Sequence, residues 1–159
     1  KYGPRRDVYA SPHTEISDLW VRYRAWDEWR GDLAEFNTEH KSVWYPVSDD
    51  VPELKGIVDQ VLAHLGEVEL GGVLITKIPP GQSVAPHTDA GWHAEYYYDK
   101  YGVQLMGNKD QGFCFDGHCV SAEPGEVYWF DNQKKHWVYN DSDEDRMTMI
   151  ICVRPKVSE

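Results

Sequence analysis

The sequence predicts a mainly β fold with N-terminal helices and a jelly-roll core, the cupin-like double-stranded β-helix. Apolar residues recur at helical spacing before Gly66, and short segments rich in β-forming residues follow it. Turns carrying Gly, Asp or Asn separate these segments. Two helices followed by about eight short strands are typical of a helical layer that packs on a double sheet.

The helices are predicted in the first third of the chain. Residues 17–36 place apolar side chains at spacings compatible with one helical face, at Leu19, Trp20, Tyr23, Trp26, Leu33 and Phe36. A second series runs from Ile57 to Leu65 and ends at Gly66, a residue that commonly terminates helices. We therefore expect helical support over roughly 14–66 and a β core over roughly 69–156, in a single domain spanning residues 1–159.

The first strand is predicted from Gly71 to Ile78, where Pro79-Pro80-Gly81 ends it. Side chains two apart along a strand face the same side, and this spacing predicts which of them meet. Further short strands are expected at about 84–88, 101–106, 112–116, 118–122, 126–131, 136–140 and 146–153.

Charge and composition narrow the classes of partner. The chain carries 16 Lys and Arg against 27 Asp and Glu, a net charge of −11, so nucleic acid is an unfavourable partner for the whole surface. No apolar run is long enough to span a membrane, and no signal-peptide pattern is present. The chain begins at Lys1 without Met, which leaves a removed leader open. We expect a cytoplasmic protein.

The three cysteines are scattered along the second half of the chain. Cys114 and Cys119 flank Asp116-Gly117, a hairpin-turn signal, and Cys152 lies in the last predicted strand. A disulfide between the first two is one alternative. We expect three reduced thiols, in keeping with a cytoplasmic location.

Three residues form a candidate metal site. His87 and Asp89 lie two apart and project together from a strand end, and His136 begins a later strand. Two imidazoles and one carboxylate hold one face of an octahedral iron(II) ion and leave the other face open. The alternative is a chance His-X-Asp pair in a solvated loop.

A candidate anion site follows the metal site along the chain. Arg146 and Thr148 share one face of the last predicted strand, ten residues after His136. A guanidinium on an otherwise apolar strand is costly to bury without an anion, and it binds a carboxylate in a planar, two-point geometry. The alternative is that Arg146 reaches solvent or pairs with Glu144 or Asp145.

Together these residues resemble the Fe(II)/2-oxoglutarate-dependent oxygenase superfamily, with its His-X-Asp, distal His and Arg-X-Ser/Thr pattern. Within it, residues 124–155 and the approach over 74–86 resemble the aspartyl/asparaginyl β-hydroxylase family. The resemblance covers about residues 70–156. Familiar members of that family have Gly near the place of Asp89, so the metal site here follows the broader superfamily pattern.

The resemblance implies an oxygenase domain that uses Fe(II), 2-oxoglutarate and O2 to hydroxylate an unactivated C–H bond of an amino-acid side chain. The side chain would belong to a peptide, a protein or a free amino acid. The implied iron ligands are His87, Asp89 and His136. Arg146 and Thr148 would bind the far carboxylate of 2-oxoglutarate.

Further candidate residues lie between the two sites. Lys100 is a candidate for contact with 2-oxoglutarate. Trp92, His93 and Tyr96 directly follow the ligand pair and are candidate substrate residues in a lid, or else the ordinary cross-strand packing of a hairpin.

Two other functions are open from the sequence alone. One is a cupin-like metal enzyme that does not use 2-oxoglutarate, and the other is a non-catalytic jelly-roll binding module. Arg146 distinguishes the first of these from an oxygenase, because only a dicarboxylate needs it. The sequence does not indicate the oligomeric state.

Overall fold

The fold is built from short antiparallel strands. A computed structural model describes residues 3–4 and 16–156 of the protein. Its strands are β1 (Gly3–Pro4), β2 (Ser17–Arg24), β3 (Ser42–Trp44), β4 (Val68–Ile78), β5 (Ser83–His87), β6 (Asp99–Met106), β7 (Gln111–Phe115), β8 (His118–Val120), β9 (Val127–Asp131), β10 (His136–Asn140) and β11 (Arg146–Pro155). Its α-helices are α1 (Leu33–Phe36), α2 (Val47–Asp50), α3 (Glu53–Leu65) and α4 (Trp92–Tyr96).

In the described residues, the strands form two sheets that face each other. The large sheet has the order β1-β2-β4-β11-β6-β9, with β3 added beside β2, and the small sheet has the order β5-β10-β7-β8. Each strand predicted between residues 84 and 153 is present. The mainly β, jelly-roll fold class is therefore confirmed.

Helix α3 covers the outer face of the large sheet. Its buried residues Leu54, Val58 and Val61 belong to one apolar cluster with Val73 of β4 and Ile151 of β11. The helix ends at Gly66, whose positive φ of 75° suits glycine, as predicted. No helix in residues 16–156 is long and apolar enough to cross a membrane.

The inner face of the large sheet, which is turned toward the small sheet, carries a second apolar cluster. Ile78 and Phe130 contribute from the large sheet, and Val84, Phe113 and Val138 contribute from the small sheet.

Polar residues interrupt the inner face of the large sheet in one row across four strands. Asp18 pairs with Thr76, Thr76 with Thr148, and Thr148 with Gln104.

The predicted helix over residues 17–36 is wrong for its first half, and residues 14–15 lie outside the described residues. Ser17–Arg24 form β2, and only Leu33–Phe36 form an α-helix in this range. A register shift between Trp20 and Arg22 marks a β-bulge, which adds one residue to the strand. The bulge brings the ring centroids of Trp20 and Tyr23 to 4.2 Å from each other. Because these residues are three apart in sequence, their spacing also fits one face of a helix.

The prediction of three reduced cysteines is also wrong. Cys114 and Cys119 form a disulfide across the turn between β7 and β8, where they are directly opposite each other. Cys152 is free and buried. Directly opposed positions on a hairpin bring two sulfur atoms together without any change of the backbone.

Candidate metal centre

The three predicted ligands meet where two strands of the small sheet lie side by side. His87 is the last residue of β5 and is directly opposite His136, the first residue of β10. Asp89 follows in the next loop, where its backbone N–H donates to the Asn132 carbonyl at 3.0 Å. Antiparallel pairing therefore joins two positions that are distant in sequence.

The side chains of these residues converge on one point. Asp89 Oδ1 lies 3.3 Å from His87 Nε2 and 3.5 Å from His136 Nε2. One ligand atom from each residue lies within 4.8 Å of the others, which is close enough for one metal ion to contact all three.

The tautomers of both histidines suit a metal. Nδ1 of His87 lies 2.8 Å from the Ala85 carbonyl, and Nδ1 of His136 lies 2.8 Å from the Lys134 carbonyl. Because a carbonyl only accepts, each Nδ1 carries the proton, and in the neutral ring each Nε2 presents a lone pair to Asp89. Three electron-rich atoms that face one another suit a metal cation placed between them.

Lys100 contributes positive charge beside this site. Its ammonium donates to Asp89 Oδ2, and burial leaves the lysine side chain only 12% exposed. Burial, the largest single effect, opposes ionisation of Asp89, but the Lys100 ammonium and hydrogen bonding with His136, His87 and Lys100 together outweigh it and hold the pKa of Asp89 well below its usual range. Asp89 is therefore a carboxylate at neutral pH.

Arg146 is buried in a network of neutral oxygen atoms. It is 3% exposed, and its guanidinium donates to Thr148 Oγ1 at 2.7 Å and to Tyr128 Oη at 3.1 Å. Thr148 in turn donates to Gln104 Oε1 at 3.1 Å. Within residues 16–156 no carboxylate forms an ion pair with Arg146, so the predicted alternative partners Glu144 and Asp145 do not neutralise it.

The metal cluster and Arg146 line one cavity of about 770 Å³ between the two sheets. Lys100 also lines this cavity. Its partner on the neighbouring strand is Cys152 of β11, which lies six positions along that strand from Arg146. The cavity extends beyond the metal cluster to a group of aromatic residues from β2, the segment after it and helix α1: Trp20, Tyr23, Trp26, Trp29 and Phe36.

The predicted substrate residues are placed differently from one another. His93 lines the cavity, but its Nε2 already accepts the Gly72 N–H at 2.9 Å. Trp92 and Tyr96 stack on each other at 4.9 Å in helix α4 and do not contribute to the described lining. The segment forms a helix rather than the hairpin that was the alternative.

Three residues of the site were not predicted as such. Tyr128 and Gln104 hold Arg146 and Thr148, and Asp18 places a carboxylate in the cavity wall. Gln104 and Asp18 lie in the same row across the sheet as Thr148, and this alignment would identify them as site residues. The alignment follows from the order of the strands, which the sequence does not show. Tyr128 lies in a predicted strand, but its partner is 18 residues away.

A sequence profile for aspartyl/asparaginyl β-hydroxylase matches residues 19–155, most of the chain. The chain belongs to the aspartyl/asparaginyl β-hydroxylase family. Membership places it among hydroxylase-type oxygenases. No curated protein sequence is significantly similar to it.

A solved structure shares the fold of this β-hydroxylase family member over most of the chain. An oxidoreductase of the 2OG-Fe(II) oxygenase family from Burkholderia pseudomallei has a TM-score of 0.61 at 15% identity, covering 94% of this chain and 73% of that one. A predicted oxalate decarboxylase from Thermotoga maritima has a TM-score of 0.43 at 18% identity, covering 62% and 74%. A cupin superfamily protein from Desulfitobacterium hafniense has a TM-score of 0.40 at 17% identity, covering 55% and 67%.

Proposed function

We propose that this protein is an Fe(II)- and 2-oxoglutarate-dependent dioxygenase that hydroxylates an unactivated C–H bond of an amino-acid side chain. The observation that carries the proposal is the arrangement of two sites in one cavity. A His-Asp-His cluster and a buried guanidinium without a carboxylate partner in the described residues line the same space. The donor atoms of the His-Asp-His cluster fit a divalent iron. The donors of the Arg146 guanidinium fit a carboxylate group of a dicarboxylate.

His87, Asp89 and His136 would hold the iron, which supplies redox chemistry with O2 when bound. The backbone carbonyls of Ala85 and Lys134 keep both imidazoles in the ligating tautomer. Because Asp89 stays ionised, the cluster keeps the negative charge that a cation requires.

Arg146 would bind the far carboxylate of 2-oxoglutarate. Thr148 and Tyr128 orient its guanidinium and leave its charge unbalanced until an anion arrives. Phe113 and Phe130, with ring centroids 5.7 Å and 5.2 Å from the His136 ring, would keep water away from the buried side of the iron site. The predicted contact between Lys100 and 2-oxoglutarate stays a prediction.

The test of the metal and co-substrate roles is spectroscopic. Wild-type protein mixed anaerobically with Fe(II) and 2-oxoglutarate is expected to show the weak visible charge-transfer band of an iron–keto-acid chelate, and to release succinate once O2 is admitted. His136→Ala removes a ligand and is expected to abolish both signals. Absence of the band and of succinate in the wild type would refute the proposal.

Arg146 separates this proposal from a cupin-like metal enzyme that needs no 2-oxoglutarate. Arg146→Ala is expected to weaken 2-oxoglutarate binding about a hundredfold, because two charge-assisted hydrogen bonds are lost. Mn(II) binding, measured separately, should persist. Arg154→Ala is the matched control, because Arg154 pairs with Glu69 away from the cavity. Equal effects of the two variants would favour the alternative.

The cytoplasmic location and the peptide, protein or free amino-acid substrate also remain proposals. The Cys114–Cys119 disulfide weighs against a reducing compartment, since thiols in the cytosol are kept reduced. Mass spectrometry of protein alkylated at the moment of cell lysis measures whether this pair is oxidised in the cell.

A further inference from the structure

We propose that Lys100 is a positioning residue, which holds the Asp89 carboxylate so that only one of its oxygen atoms faces the metal centre. Lys100 thereby keeps one more coordination position of the bound ion open. This inference rests on the metal-binding part of the proposed function and deepens it. It names the residue that sets how Asp89 binds the ion.

Asp89 lies in a loop and is held there by its backbone. It follows two residues after His87, the end of β5, and its N–H donates to the Asn132 carbonyl at 3.0 Å. Asn132 is fully buried, and its side-chain amide donates to the Ala94 carbonyl at 2.9 Å. These bonds fix the backbone of Asp89, but the rotation of its carboxylate depends on other contacts.

The two carboxylate oxygens of Asp89 face different groups. Oδ1 lies 3.3 Å from His87 Nε2 and 3.5 Å from His136 Nε2, the two nitrogen atoms that would ligate beside it. Oδ2 accepts a hydrogen bond from the Lys100 ammonium. Oδ1 is therefore the oxygen offered to a metal ion, and Oδ2 is engaged by the lysine.

Lys100 reaches this carboxylate from the opposite sheet. It belongs to β6 of the large sheet, where its partners on the neighbouring strands are Cys152 and Phe130, both buried. Its side chain is largely buried and lines the cavity. An ammonium in the interior needs an anion, and Asp89 provides one. The ion pair thus joins the large sheet to the loop that follows β5.

This contact decides how many positions Asp89 takes on the ion. A carboxylate binds a metal through one oxygen atom or chelates it through both. Chelation would turn Oδ2 toward the ion, where the Lys100 ammonium would meet a like charge. With Oδ2 held back, two histidines and one oxygen occupy one face of an octahedral ion and leave the other face open. A chelating keto acid takes two of those open positions, so the remaining one decides whether O2 can reach the ion.

The number of water molecules on bound Mn(II) tests this role without turnover. Mn(II) is added to saturation in place of iron, and water-proton relaxation counts the water molecules that the ion keeps. The wild type is expected to hold about three and Lys100→Met about two, because the released carboxylate chelates. Lys100→Arg returns a charged donor to Oδ2 and is expected to restore about three. Equal counts in the wild type and Lys100→Met would overturn the inference.

Lys77→Met is the matched control. Lys77 pairs with Asp145 at 2.7 Å, and it does not belong to the described lining of the cavity. Its water count should equal that of the wild type. An equal fall in Lys77→Met and Lys100→Met would show a general effect of lost charge and would overturn the role of Lys100. If Lys100→Met does not fold, Lys100→Ala removes the same bond with a smaller side chain and is expected to hold about two water molecules.

A direct contact between Lys100 and 2-oxoglutarate alone predicts a different result. Lys100→Met would then leave the water count on Mn(II) unchanged before 2-oxoglutarate is added, and it would weaken only the binding of 2-oxoglutarate. That outcome would overturn the positioning role.

The two proposals fail separately. Binding of 2-oxoglutarate to the Mn(II)-loaded wild type is measured in the same series. Binding of both, with a water count that does not depend on Lys100, refutes only this inference. A count that falls in Lys100→Met, in a protein whose wild type binds no 2-oxoglutarate, refutes only the 2-oxoglutarate dependence. A wild type that binds no Mn(II) refutes both.

Discussion

Thr148 connects the charge of Arg146 to the neutral interior of the sheet. Its hydroxyl accepts from the guanidinium at 2.7 Å and donates to Gln104 Oε1 at 3.1 Å, and the side chain is fully buried. A single oxygen atom thus satisfies two buried polar groups.

Thr148→Val is expected to lower the free energy of unfolding by about 1–3 kcal/mol, because it leaves a buried donor and a buried acceptor without partners. It should also raise KM for 2-oxoglutarate several-fold with little change in kcat, since Arg146 loses orientation but not charge. Urea unfolding and steady-state succinate release measure the two effects. Thr148→Ser keeps the hydroxyl and should behave much like the wild type; an equal loss in Ser would show that the methyl group matters instead.

The residues of the site divide by how far apart their partners lie in sequence. His87, Asp89, Arg146 and Thr148 were predicted because each pair is two apart in sequence, a spacing that places two side chains on one face of a strand. Arg146 and Thr148 do lie on β11, whereas Asp89 lies in the loop directly after β5. Asp18 was not predicted, because its neighbour Thr148 is two strands away and no local pattern encodes the order of strands. The side-chain roles of the predicted residues stay predictions until the variants are measured.

Strand β2 is the element whose secondary structure was predicted wrongly, as a helix. Its bulge puts an aromatic pair three residues apart on one face, which also fits a helix. The rest of the strand alternates, with Leu19 and Val21 in the outer cluster and Asp18 and Trp20 in the cavity. The strands from β5 onward were predicted correctly because prolines, glycines and turn residues mark their ends.

Two glycines make room for tyrosine rings on opposite strands. Gly102 of β6 is directly opposite Tyr128 of β9, and Gly112 of β7 is directly opposite Tyr139 of β10. A Cβ atom at either glycine would overlap the ring of its partner. Tyr128 bonds Arg146 and lines the cavity, whereas Tyr139 does not belong to the described lining.

Gly102→Ala and Gly112→Ala are therefore a matched pair. Both are expected to lower the free energy of unfolding by about 1–3 kcal/mol, the usual cost of overpacking. Gly102→Ala should in addition weaken 2-oxoglutarate binding several-fold, because it displaces the tyrosine that orients Arg146. Calorimetric titration with Mn(II) and 2-oxoglutarate on both proteins measures the difference. Similar co-substrate affinities in the two variants would contradict a role for Tyr128.

For the molecule as a whole, the junction at His93 ties several segments together. His93 of α4 accepts the Gly72 N–H of β4, and its ring lies 5.1 Å from Tyr23 of β2 and 5.7 Å from His40. The histidine must be neutral to accept this hydrogen bond. Burial lowers its pKa to about 3, and the positive charges of Lys100 and His40 act in the same direction, against a smaller opposing effect of Asp89.

This junction predicts how stability depends on pH. The unfolded chain takes up a proton at the ordinary histidine pKa of 6.5, well before the folded protein does at about 3. The stability that neutral His93 contributes is therefore complete above about pH 6.5 and is lost progressively as the pH falls toward 3. His93→Gln keeps an acceptor for the Gly72 N–H but cannot be protonated in this range. Its urea-unfolding free energy should fall less steeply than that of the wild type between these two pH values, and parallel curves would show that another group controls the acid response.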